Sequence, residues 1–308
     1  MRVCNPTLGM EPNSGSGGEV YEREFCRALE ALAGVHYHRP RRFRGRPPLV
    51  WADMTRTLAR CDGVLRVHSL RYLGLPAVLS RRPFIAHCHH LERSPWLPLE
   101  KWVLRRASQI TVDSVFGMTQ VVGLAGVWDT TRIHAVPGGV GPEFHPLPMP
   151  IPGRTALFLG AKKWRKNPEF LETLKRRLGK RGIRLRLEGP GWGGRPIVDA
   201  EKPALYQAAD VFVFPSRLEG FGLPVLEAMA CGVPVVVSTQ PALMELVTDQ
   251  VEGRVLHLDL DFWTIAITGL FQEPSRLAEM RAAAIRRSRG YSWGDSATRW
   301  LAVAAKLP

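Results

Sequence analysis

Short apolar runs alternate with stretches of helical period along most of the chain. Candidate strands fall at residues 64–69 (VLRVHS), 83–89 (PFIAHCH), 109–114 (QITVDS) and 132–137 (RIHAVP). A second series falls at 155–160 (TALFLG), 183–188 (IRLRLE), 211–215 (VFVFP) and 234–238 (PVVVS). Between them, apolar residues recur with helical spacing at 19–33, 99–107, 168–181 and 223–231. Such alternation predicts parallel sheets with helices on both faces. Residues 138–153 (GGVGPEFHPLPMPIPG) interrupt it; rich in proline and glycine and without periodicity, they read as a linker. The pattern therefore predicts two Rossmann-like units, the first over 1–148 and the second from 149 to about 290.

Composition fits two cores. A chain of 308 residues exceeds the size at which one core usually stops growing, and 45% hydrophobic residues is an ordinary globular value. No apolar run approaches the roughly 18 residues of a membrane span. The opening MRVCNPTLGMEPNSG lacks the apolar stretch of a secretion signal, so a cytoplasmic location is expected. Cys4, Cys26, Cys61, Cys88 and Cys231 are scattered and odd in number. Reduced, mostly buried thiols are expected in preference to a disulfide framework or a zinc ribbon. The net charge of +14 attracts polyanions, with its densest run at 39–46 (RPRRFRGR). That run reads equally as a solvated loop or as an anion or membrane contact.

The chemistry concentrates in 214–237, FPSRLEGFGLPVLEAMACGVPVVV. A buried strand ends at Pro215, a loop with Gly220 and Gly222 follows, and a helix begins near Leu223. A helix start offers unpaired N–H groups and a positive dipole end, and glycines let a ligand approach the backbone. Together these make a cradle suited to a diphosphate. Glu219 and Glu227 flank it as hydrogen-bond acceptors for sugar hydroxyls. The plain alternative is a helix start beside an ordinary surface glutamate.

This segment resembles the family 4 retaining glycosyltransferases of GT-B fold, whose signature is two glutamates separated by seven residues: E-G-F-G-L-P-V-L-E from Glu219 to Glu227. The resemblance implies two Rossmann-like domains facing across a cleft, with a C-terminal helix crossing back to the first. It implies Glu219 near the donor sugar, Glu227 on the ribose, and the backbone of Gly220, Phe221, Gly222 and Leu223 on sugar hydroxyls and diphosphate. Phe158-Leu159-Gly160 followed by Lys166-Asn167 looks like the family's strand–glycine–loop–lysine element, with Lys166 neutralising donor phosphates. The family often has an arginine directly after that glycine, where this chain has Ala161; Lys162, Lys163 and Arg165 are the candidate substitutes. Val136-Pro137-Gly138-Gly139-Val140 resembles an interdomain motif, and Tyr291-Ser292-Trp293 the segment that returns to the first domain. In the N-terminal half, Gly15-Ser16-Gly17-Gly18 resembles a glycine loop facing the donor diphosphate. His89 matches the histidine placed against the donor sugar. His68 reads as a second site histidine or as a structural one.

Four other patterns carry less. His87-Cys88-His89-His90 suggests a metal, yet His87 and His89 share one strand face while His90 points away, and no carboxylate at typical spacing completes a site. Asp259-Leu260-Asp261 mimics a metal-binding D-x-D; Asp261 as a helix N-cap is the better account. Residues 189–194 satisfy G-x-G-x-x-G after a strand, but Pro196 interrupts any helix there, and the loop reads as a border of the nucleotide base. Trp96 and Trp102 lie among cations, which suggests a membrane surface; the favoured reading packs Trp102 with Leu99 and Val103 on a buried helix face.

The resemblance thus implies sugar transfer with retention from a nucleotide-diphosphate donor, without metal or other cofactor. His89, Glu219 and Lys166 are the expected catalytic residues; Gly17, Gly18, Gly160, Arg165, Gly220, Phe221, Gly222, Leu223 and Glu227 are expected to bind donor. In this scheme His89 and Glu219 stabilise positive charge at the anomeric carbon. The positive charge favours a phosphorylated or lipid-linked acceptor and a peripheral contact at the inner face of a membrane. The competing readings are a GT-B epimerase or phosphorylase, an inert sugar- or polyanion-binding relative, and a nucleic-acid-binding protein. The last gives no reason for the two glutamates.

Overall fold

A computed structural model of the protein describes residues 1–6, 17–38, 47–147, 153–194 and 197–307. The basic run 39–46, Gly15, Ser16 and Pro196 lie outside the described residues. The described residues form two compact units: 1–138 with 293–308, and 139–292. One division falls inside V-P-G-G-V and the other between Ser292 and Trp293.

The first unit holds β1 (Arg2–Pro6), β2 (Gly34–His38), β3 (Val64–Val67), β4 (Phe84–Cys88), β5 (Gln109–Val112) and β6 (Ile133–Ala135). They form one sheet in the order β2-β1-β3-β4-β5-β6, parallel throughout. The connections carry α1 (Gly17–Glu30), α2 (Pro47–Ala59), α3 (Leu70–Leu79), α4 (Leu97–Arg106) and α5 (Val115–Gln120). The second unit holds β7 (Thr155–Leu159), β8 (Arg184–Glu188), β9 (Val211–Phe214), β10 (Val235–Ser238) and β11 (Gly253–Leu256). Its order is β11-β10-β9-β7-β8, again parallel. Its helices are α6 (Pro168–Gly179), α7 (Lys202–Gln207), α8 (Leu223–Ala230), α9 (Pro241–Met244), α10 (Leu260–Leu270) and α11 (Pro274–Ser288).

The eight strands expected from the pattern are all present, trimmed by a residue or two. β1, β2 and β11 escaped it. β1 (RVCNP) contains one β-branched residue, yet it is central and buried after Arg2, because β2 and β3 flank it. β2 and β11 are sheet edges. The continuous apolar run of β9 is wholly buried, as a strand covered on both faces requires. Phe212 and Phe214 stack at 5.6 Å between ring centroids, and each such buried ring contributes about 1.5–3 kcal/mol.

The final helix, α12 (Trp293–Ala304), belongs to the first unit. Ser296 Oγ donates to Pro137 O at 2.5 Å, and buried Trp300 meets Phe25 edge-on at 6.2 Å. Residues 139–147 of the expected linker group with the second unit, where Val140 N–H donates to Tyr291 O at 3.2 Å. Trp102 packs against the first core as expected, with the Arg106 guanidinium 4.5 Å above its ring; Trp96 is exposed. No described helix is long and apolar enough to cross a membrane.

One expectation is corrected. Cys4 and Cys61 are joined in a disulfide, their Cα atoms 6.4 Å apart. β1 pairs with β3, so the turn entering β3 brings Cys61 beside Cys4, a proximity that spacing along the chain cannot reveal. Cys26, Cys88 and Cys231 are free and buried.

Candidate functional site

In the second unit the chain leaves β7 for β8 on one side and returns to β9 on the other. This reversal is a topological switch point, where loops at the strands' carboxyl ends part and leave a ligand crevice. The loops after β7 and β9 supply the expected residues. Lys166 Nζ lies 2.6 Å from Glu219 Oε1 and 4.2 Å from the Phe214 ring centroid. Burial draws the Lys166 ammonium below its ordinary pKa, and the Glu219 carboxylate opposes that shift. Arg165 O accepts from Arg217 N–H at 2.7 Å, which ties the two loops together. Lys162 is engaged elsewhere, 2.6 Å from Glu172 and 5.0 Å from the Trp192 ring.

Gly160 closes β7, and Trp192 Nε1 donates to its carbonyl at 2.9 Å. Gly189 crosses it with φ +117°; a Cβ there would sit 2.7 Å from Gly160 O. Gly189 thus serves a close backbone crossing, whereas a Cβ on Gly193 would meet nothing within 4 Å. Among the described residues no α-helix opens after them before α7, which begins at Lys202.

The helix expected near Leu223 starts there, as α8. Gly222 caps it with φ +112°, and a Cβ would meet Leu243 Cδ2 at 2.7 Å, so strain and space both require glycine. Pro224 has no N–H, and those of Val225 and Leu226 return to Gly222 O. Anion binding at this helix start therefore falls to the N–H groups just before Pro224. Gly220, Phe221, Gly222 and Leu223 are buried. Glu227 is buried in α8, its Oε2 accepting from Tyr206 OH at 2.7 Å. Burial raises its pKa, against the pull of Lys202. Gln240 Nε2 donates to Glu219 O at 3.2 Å and steadies the loop.

Asp259, not Asp261, is the N-cap of α10: its Oδ1 accepts from Asp261 N and Phe262 N at 2.8 and 3.0 Å. The expectation was one turn position off, because both aspartates precede the apolar run. Asp261 pairs with Arg177 on the surface.

The first unit gathers a second cluster. Gly17 and Gly18 open α1, and a Cβ on Gly18 would lie 3.3 Å from His89 Cδ2. His89 follows β4; its Nδ1 is 2.9 Å from Asp113 Oδ2 and its Nε2 3.4 Å from Glu22 Oε1. Glu22 is held by Arg66 through both oxygens, at 2.5 and 2.8 Å, and Arg66 is wholly buried. His87 Nδ1 bonds Thr111 Oγ1 at 2.9 Å; its Nε2 lies 3.0 Å from Asp113 Oδ1 but off-line for a hydrogen bond. Tyr21 stacks on His87 at 4.9 Å and meets His89 edge-on at 5.0 Å.

Burial alone would hold the His89 ring neutral; Asp113 and then Glu22 overcome it and raise its pKa to about 10. Burial dominates at His68, which falls to about 4, and lowers His87. Burial is the largest influence on Asp113 and Glu22 and would raise both, yet they lie below the usual carboxylate range, because His89 with His87 at Asp113, and Arg66 with His68 and His89 at Glu22, together outweigh it. The 3.5 Å approach of His68 to Glu22 is therefore a contact of a neutral ring.

A carboxylate does join the histidine pair, against the expectation of none: Glu22, His87 and His89 have ligand atoms within 4.8 Å of one another. It arrives from α1, far away in sequence. Arg66 nevertheless engages both Glu22 oxygens, and a guanidinium so close repels a dication. With Arg66 on Glu22 and Asp113 on His89, the arrangement is an ion-pair cluster.

Sequence reasoning missed Glu22, Arg66, Asp113 and Tyr206. Two signals were available. Arg66 interrupts an apolar strand, and Asp113 follows β5 as His89 follows β4, in strands paired Cys88↔Val112.

Residues 192–287 match the family model described as glycosyl transferases group 1. The D-inositol 3-phosphate glycosyltransferase of Kineococcus radiotolerans is 29% identical, over 66% of this chain and 58% of its own length. That of Xylanimonas cellulosilytica is 31% identical, over 58% of this chain and 52% of its own. The chain thus spans little more than half of these relatives. Among solved structures, HepE of Anabaena in complex with UDP and glucose superposes with TM-score 0.79 at 16% identity, covering 99% of both chains. Sucrose-phosphate synthase of Thermosynechococcus elongatus gives 0.80 at 18%, over 99% of this chain and 98% of that one. At those identities the likeness establishes the fold, which is GT-B. The chain thus has the GT-B fold, and its residues 192–287 match the group 1 glycosyltransferase model; its resemblance to the family 4 glycosyltransferases stands on both.

Proposed function

We propose that the chain transfers a sugar from a nucleotide-diphosphate donor to an acceptor hydroxyl, with retention and without a metal ion. The observation that carries this reading is the Lys166–Glu219 contact at the switch point, beside the Gly222–Leu223 helix start and with Glu227 buried behind it. Each of the paired groups neutralises the other while the site is free. A donor exchanges that contact for two: ammonium to diphosphate, carboxylate to sugar hydroxyl. Glu227 then takes the ribose. Structures of HepE with UDP and with UDP-glucose support a nucleotide donor on this fold.

In the reaction the bond from the anomeric carbon to the β-phosphate oxygen breaks, and the acceptor oxygen bonds to the same face. The acceptor's proton passes to the leaving phosphate. Charge grows on that phosphate, so a fixed cation and helix-start N–H groups stabilise the transition state more than the ground state. The same groups do the work a metal would do. The net charge of +14, with relatives named for D-inositol 3-phosphate, supports a phosphorylated acceptor.

The test is a panel of nucleotide sugars, assayed for hydrolysis and for transfer to phosphorylated polyols. Turnover of one donor with retained anomeric configuration is the expected result. Ala161, with Lys162 engaged by Glu172, favours one second reading, an inert sugar-binding relative. Calorimetric donor binding without turnover would decide for it.

A further inference from the structure

The cluster around His89 is more elaborate than holding one ring requires. Groups face it from four elements: Tyr21 and Glu22 on α1, Arg66 and His68 on or just after β3, His87 on β4, and Asp113 after β5. Two carboxylates and one guanidinium leave room for one more positive charge in a balanced, buried set. The ring nitrogens are not equivalent. Nδ1 is held at 2.9 Å by Asp113 Oδ2, whereas Nε2 is only 3.4 Å from Glu22, whose oxygens Arg66 already occupies. The His89 side chain is 21% exposed, while those of Asp113 and Glu22 are 6% and 8%. Gly18 leaves space at the Cδ2–Nε2 edge, where a side chain would crowd the ring.

We propose that Asp113 is the positioning residue of this site: it holds His89 through Nδ1–H as an imidazolium whose Nε2–H donates to a ligand oxygen. The inference rests on the proposed function in that the ligand is taken to be the donor or acceptor. It changes the expected part of His89. A cationic ring cannot stabilise positive charge on the sugar. It selects an electron-rich oxygen instead, a sugar hydroxyl or phosphate, and is no general base at neutral pH. The balance of the cluster explains why Glu22 is tied to Arg66: a free Glu22 would capture Nε2–H and take it from the ligand.

The decisive measurement needs no substrate. In protein labelled with ¹⁵N at histidine, long-range ¹H–¹⁵N spectra report the protonation of each ring nitrogen. His89, assigned from the His89→Gln spectrum, should show both nitrogens protonated from pH 6 to pH 9, in the wild type at equilibrium. A neutral His89 at pH 7 overturns the proposal. In Asp113→Asn, which keeps shape and removes charge, His89 should titrate near the ordinary value of about 6.5. If His89 in the folded Asn variant still titrates above pH 9, Asp113 is not the residue that holds it, and the proposal fails. With the donor identified by the panel, kcat/KM of Asp113→Asn should fall about tenfold between pH 5.5 and pH 7.5, as the ring loses its proton, while the wild type shows no such loss. A pH profile in the variant parallel to the wild type overturns the proposal. A panel without turnover defeats the proposed function, whereas the spectra still decide whether Asp113 holds the ring protonated.

Discussion

The two units solve the placement of charge differently. In the second, Glu219, the Gly222 cap and Glu227 come from one loop and the helix it starts, and Lys166 joins them from the loop of the strand next door. In the first, Glu22, Arg66, His89 and Asp113 come from four separate elements, met only because parallel strands align their carboxyl ends. Local construction writes a signature that can be read along the chain. Distributed construction leaves single residues with no neighbours in sequence to explain them. Energetics differ too: the second site holds a single ion pair that a ligand can exchange, whereas the first holds a balanced set in which each charge depends on the others.

The largest effect should come from unbalancing that set. Arg66→Met leaves Glu22 as a buried, unpaired carboxylate, which costs about 3–5 kcal/mol when one partner of a buried pair is removed. Denaturant titration should show the loss in the first unit; an unchanged midpoint would mean that the pair adds nothing there. Lys166→Ala follows, with turnover lowered roughly 10²-fold or more, the scale for removing one stabilising group from a charged transition state. Single-turnover rates at saturating donor, with Lys162→Ala as control, measure this. Lys162 is held by Glu172, so its loss should change the rate little; the reverse ranking would move the phosphate site to Lys162.

Glu227→Gln comes next. Loss of its carboxylate is expected to weaken donor binding more than saturated turnover, by about 1.5–3 kcal/mol for a hydrogen bond involving a charged group. Donor affinity by calorimetry, set beside kcat, checks it, and unchanged affinity would remove Glu227 from the ribose. The pH dependence of stability should also separate the units. His89 has a raised pKa when folded, so its contribution is complete below about 6.5 and is lost as pH rises through about 10. Asp113 and Glu22 have lowered values, so theirs is present above the ordinary carboxylate range and is lost as pH falls through their folded values. The first unit should therefore weaken at both ends, seen as the near-ultraviolet signal of Trp293 and Trp300. A flat profile from pH 5 to pH 10.5 contradicts the cluster. The smallest effect is expected from EDTA: activity should persist, and loss restored by Mg²⁺ or Mn²⁺ would show that Lys166 and the helix start do not suffice.

The sequence by itself determined a good deal. Eight strands, the helix start at Leu223 and the aperiodic break over 138–153 were legible, because periodicity, glycine and proline act within a few residues of themselves. The spacing of Glu219 and Glu227 was legible for the same reason: one loop and little more than one helical turn fix it. What only the tertiary structure decided is everything that depends on which strands are neighbours. β1 is central despite its weak pattern because β2 and β3 flank it, and this same pairing joins Cys4 to Cys61. The pairing of β4 with β5 sets Asp113 against His89, and the packing of α1 brings Glu22 to Arg66. A parallel sheet joins strands through crossovers of a dozen or more residues, so the contacts that set protonation here lie 24 to 67 positions apart, beyond the reach of any local pattern.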